Sequence, residues 1–179
     1  MNNVKGAIIG TIVTIIIGGA VYTINQQDII KNFAKETGLT QQQAEHYIDT
    51  IEKEVLGSLS EIGDEMINFG QKIINDISEI NCINYGHKWK SSTLSCHEGM
   101  EQLNKLAKDS ILLGQSYLKL DSDSASIDDM KETIRLIDQF NSDLQFAVVD
   151  LLLDQSIINE IQKGNLYNKA LLKTVIESN

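Results

Sequence analysis

The chain has 179 residues, no proline, 42% hydrophobic residues and a formal net charge of −10. Nothing in it forces a helix to break, and a composition rich in Ile, Leu, Gln, Glu, Asp, Lys and Asn favours helix over sheet. All 25 acidic residues lie at or beyond Asp28, so most of the molecule repels phosphate backbones and nucleic acid is excluded as a partner.

Residues 1–5 are a short flank carrying Lys5. Residues 6–24, GAIIGTIVTIIIGGAVYTI, then run for nineteen positions without a charge. About twenty apolar residues cross a bilayer as a helix, so the segment predicts a transmembrane helix with membrane lipid as its surroundings. Tyr22 falls near its far end, where an amphipathic ring prefers the interface. Gly6, Gly10, Thr14 and Gly18 recur every four residues, the small-residue stripe through which a membrane helix contacts another membrane protein. The competing reading is a cleaved signal peptide over residues 1–20, with Gly18 and Ala20 at the cleavage site. Lys5 on one side and Lys31 and Lys35 on the other leave the positive-inside count nearly even, so orientation must come from elsewhere.

Residues 25–39 read as a juxtamembrane helix or linker, with Ile29, Ile30, Phe33 and Ala34 on one face and Gly38 placed to end it in the left-handed conformation. An acidic helical domain then fills 40–179. Thr40 and Gln43 form a capping box opening a helix of about 41–56, whose apolar positions are Ala44, Tyr47, Ile48, Ile51 and Val55. Ser58 and Glu61 open the next, about 59–82, with Ile62, Met66, Phe69, Ile73, Ile77 and Ile80 stepping by three or four. Residues 83–95 lose that period and predict a loop with a short hairpin near Trp89 and Leu94.

Ser95 and Glu98 cap a helix of about 96–120, with Met100, Leu103, Leu106, Leu113 and Tyr117 inward. DSDSAS (121–126) is a polar turn. Ser126 and Asp129 then open a helix to about 153 that buries Ile127, Met130, Ile134, Ile137, Phe140, Leu144, Val148 and Leu151. A last helix covers about 155–177, and Gly164 marks a point where it can break. Amphipathic helices joined by short turns must cover one another's apolar stripes. The expected fold is therefore all-α: a bundle of four to five amphipathic helices behind one N-terminal transmembrane helix.

Cys82 and Cys96 are the only cysteines and bracket the predicted loop. A disulfide there staples an antiparallel helix pair, a device of oxidising compartments, and turns the domain out of the cytoplasm, toward a periplasm or lumen. Cys82, His87, Cys96 and His97 form a weaker alternative, a zinc set whose spacing matches no usual finger. Asp121, Asp123, Asp129 and Glu132 fill four positions of a calcium loop, but Ala125 brings no oxygen and Ser126 replaces the turn glycine. An acidic helix cap is the better account of those carboxylates.

Glu45, His46, Asp49 and Glu52 read as a solvated helix face, and Trp89 between Lys88 and Lys90 as a partner contact. No P-loop, GxGxxG, GxSxG or HExxH occurs in the chain. Together these features predict a non-enzymatic interaction or accessory subunit of a membrane complex, without cofactor. A secreted helical binding protein is the second reading and a metal-dependent protein the third.

Overall fold

A computed structural model of the chain describes residues 12–54, 58–78, 82, 95–146 and 155–179. Its elements are β1 (Ile12–Ile17), β2 (Ala20–Asn25), α1 (Gln26–Thr37), α2 (Gln41–Glu54), α3 (Leu59–Ser78), α4 (Cys96–Leu120), α5 (Ile127–Phe146) and α6 (Gln155–Glu177). Among the described residues the all-α expectation holds from Gln26 onward. Before it, the expected transmembrane helix over 6–24 is overturned in its described part, where β1 and β2 pair antiparallel from Ile12↔Asn25 to Ile17↔Ala20.

The reason lies in the side chains. Runs of β-branched Ile, Val and Thr are stiff in a helix and fit a pleated surface. Between them stand Gly18 and Gly19, with φ of 60° and 71°, and two successive positive-φ residues make the tight turn that matches strand twist. Among the described residues, no helix is long and apolar enough to cross a membrane.

Short-range signals set the helix starts. Thr40 and Gln43, Ser58 and Glu61, and Ser95 and Glu98 each exchange the two hydrogen bonds of a capping box, and Ser126 does so with Asp129. Asn25, the last residue of β2, caps α1 by accepting from the Gln27 N–H at 2.9 Å. Gly38 ends α1 at φ 72°, ψ 10°. Gly164 does not interrupt α6. Val55, Ile80, Val148 and Leu151 lie outside the described residues, and Ile127, expected inside, is exposed at the first position of α5.

Helices α3, α4, α5 and α6 run up and down as a bundle, α1 packs on α6, and α2 packs on α1. Phe33 ties α1 to both neighbours, stacking on Tyr47 at 5.6 Å and meeting Tyr167 edge-on at 6.5 Å. Phe69 of α3 and Phe140 of α5 meet at 6.2 Å across the centre, among Leu103, Leu106, Leu113, Tyr117 and Ile137.

Helices α3 and α4 approach one another closely. A Cβ on Gly70 would stand 2.5 Å from the Ala107 carbonyl oxygen, and one on Gly114 would stand 2.5 Å from that of Gly63. Between these points the Ser110 hydroxyl donates to the Met66 carbonyl at 2.6 Å. Gly63 and Gly70, and Ala107 and Gly114, are seven residues apart, so small residues face one another every second turn and the backbones touch.

Candidate interaction site

The hairpin presents two unlike faces. Ile17 and Ile24 are buried, with Val13, Ile15 and Tyr22 packed beside them on the core side. On the other face Thr14 and Thr23 are exposed, and Ile16 and Val21, cross-strand partners, stand 59% and 65% exposed. Period-two alternation sends Val13, Ile15 and Ile17 inward and leaves Thr14 and Ile16 out.

The turn is seated on the α4–α5 connection. The Gly18 N–H donates to the Leu120 carbonyl at 2.9 Å, and a Cβ on Gly18 would meet the Ala125 carbonyl oxygen at 2.6 Å. Gly18, expected on a stripe between membrane helices, is thus a turn residue docked on the bundle. Thr14 is a strand residue, while Gly6 and Gly10 lie outside the described residues.

The connection carries the acidic helix cap expected of it. Asp129 Oδ2 accepts from the Ser126 N–H and hydroxyl, and Lys119 reaches Asp129 Oδ1 at 2.5 Å. Lys119 and Ser126 together hold the Asp129 carboxyl down at about 2. Glu132 is turned to Arg135 at 2.6 Å, and the Asp123 carboxylate lies against the hairpin turn near Gly19. Among the described residues no three His, Cys, Asp or Glu side chains converge on one point.

At the opposite end of α4, Cys82 and Cys96 are joined by a disulfide with Cα atoms 5.7 Å apart. Bonded to each other, they offer no thiolate, which removes the zinc alternative with His87 and His97. His97 is exposed on α4, while His87 and Trp89 lie outside the described residues. Glu45, His46 and Asp49 lie exposed on α2, as a solvated face requires.

Two buried polar clusters were not foreseen. In the first, Lys169 of α6, with its side chain only 9% exposed, pairs with Glu36 of α1 at 2.6 Å and with Asp138 of α5 at 2.5 Å. Lys173 adds a second bond to Glu36. Burial opposes the Glu36 charge, but the two lysines outweigh it and hold the carboxyl below its usual range.

The second cluster lies between α4 and α5. Asp109 is 5% exposed; the Gln139 amide donates to its Oδ1 at 2.8 Å, and Lys105 donates to Asp143 Oδ1 at 2.6 Å. The Oδ2 atoms of both aspartates are buried with no hydrogen-bond donor among the described residues. Burial, and then the neighbouring Asp143, push the Asp109 carboxyl up to about 6. Burial also opposes the Asp143 charge, but hydrogen bonds from Asp109 and Lys105 hold it below the ordinary carboxylate range. Residues 34 positions apart in sequence give no local sign of such a meeting; only their shared place on an otherwise apolar helix face could have flagged them.

The chain matches no protein-family model, no curated protein and no solved structure.

Proposed function

We propose that the chain is a non-enzymatic interaction module held at a membrane outside the cytoplasm, with the bundle displayed to a protein partner. The observation that carries this reading is the hairpin's outer face. Ile16 and Val21 stand uncovered in the middle of nineteen residues that hold no charge. Strands of six residues are too short to cross a bilayer, so the contact is a face laid on lipid, not a span. The Cys82–Cys96 bond supports the compartment, since such bonds persist where the surroundings are oxidising.

The test is co-sedimentation of the full chain with neutral phosphatidylcholine vesicles, chosen because the acidic bundle repels anionic lipid. The chain is expected in the pellet, and I16D/V21D in the supernatant with an unchanged circular dichroism spectrum. Wild-type protein that stays in the supernatant would overturn the reading.

The second reading, a secreted helical binding protein with residues 1–20 removed, draws on the small residues Gly18, Gly19 and Ala20. Cleavage there would take away β1 and with it Ile17, which is 1% exposed. The mass of the mature chain separates the two.

A further inference from the structure

Two carboxylates face one another across the α4–α5 interface, and their hydrogen bonds do not balance. Of their four oxygens, Asp109 Oδ1 receives the Gln139 amide and Asp143 Oδ1 receives Lys105. The remaining two, both Oδ2 atoms, are buried and have no other donor among the described residues. Two ionised oxygens left so would each forfeit hydration with nothing in exchange. A single proton between them repairs both at once. We propose that Asp109 keeps a proton and donates it to Asp143 Oδ2, so that the α4–α5 pair is latched in mild acid and loosened when that proton leaves.

The neighbours fix which carboxyl holds the proton. Lys105 on α4 bonds to Asp143 and stabilises its charge; on Asp109, Lys105 and Arg135 of α5 act only at longer range, Arg135 being bonded to Glu132. Asp109 is the more buried of the two and has only a neutral amide on its other oxygen. The charge therefore settles on Asp143 and the proton on Asp109, which agrees with the directions in which the two groups shift.

The sign follows by linkage. A carboxyl whose pKa is raised on folding stabilises fully below its unfolded value near 4, and that contribution is lost as pH rises through about 6. This is opposite to the ordinary salt-bridged carboxylate.

The experiment is urea unfolding of the full chain at pH values from 4.5 to 8, for wild type, D109N and D143N. In D109N the introduced amide can donate to Asp143 Oδ2 at every pH, and in D143N the introduced amide can donate to an ionised Asp109. Both variants are therefore expected to lose the device. Between pH 5 and 7.5 the wild-type folding constant is expected to fall about tenfold relative to either variant. Hydrogen exchange in α4 and α5 is expected to quicken over the same window in wild type alone. Should D109N fail to fold, the D143N comparison gives the same reading. Wild type and variant curves that run parallel across the window would overturn the proposal.

Discussion

Lys169 shows how much of the stability rests on single buried charges. Its ammonium joins α6 to α1 through Glu36 and to α5 through Asp138, with almost no access to water. Removing one partner of a buried pair leaves the other desolvated and uncompensated, which costs about 3–5 kcal/mol. Lys173 still reaches Glu36, so K169M is expected near the lower end, about 3 kcal/mol by urea unfolding. Joining it to E36L should recover much of the loss, because the buried charge goes with the pair. Glu36 also carries a pH dependence. Its folded pKa lies below the unfolded one, so its contribution is present near neutral pH and lost as pH falls through the folded value. Asp109 works the other way, and acid titration of E36Q against D109N should separate the two by sign.

Among the elements, glycines divide into those that permit contact and those that do not. Gly164 has no described residue within 4 Å of where a Cβ would stand, although it lies inside α6. G164A is therefore expected to stabilise by about 0.5–1 kcal/mol, the ordinary helix preference for alanine. At Gly114 the same methyl would meet the Gly63 carbonyl oxygen at 2.5 Å. Backbone cannot yield as a side chain does, so G114A should destabilise by about 1–3 kcal/mol despite the same helical gain. Equal effects from the two substitutions would mean that α3 and α4 are not in backbone contact.

The sequence made the helices readable because their signals are local: four capping boxes, Gly38, and apolar steps of three or four. The hairpin was open to reading too, since IVTIII and AVYTIN flank two glycines. Charge-free length argued for a bilayer helix and outweighed that β-branched content. The small-residue seam of Gly63, Gly70, Ala107 and Gly114 had a visible seven-residue spacing. What no local pattern held was the meeting of Asp109 with Asp143, or of Glu36 with Lys169, because packing of distant helices creates both.

For the whole molecule, the Cys82–Cys96 bond closes a loop of fourteen residues at one end of the α3–α4 pair. Constraint of the unfolded chain by a loop of that size amounts to about 3 kcal/mol. Reduction is thus expected to lower the melting temperature by several degrees, read by calorimetry with and without reductant. An unchanged transition would mean that the glycine seam alone fixes the two helices.

The join between β2 and α1 has a mechanical consequence. No residue separates them: Asn25 ends the strand and caps the helix. Ile12 is its partner across the ladder, so the chain enters and leaves the hairpin at the same end. Tension applied ahead of Ile12 therefore loads the strand hydrogen bonds one at a time, as in opening a zip, and a two-stranded sheet resists weakly. Opening it releases residues 12–25, roughly 45–50 Å of extended chain, before the pull reaches the first turn of α1. Under such a pull the hairpin acts as a slack line that takes up the tug while the helices, stapled at their far end, stay folded.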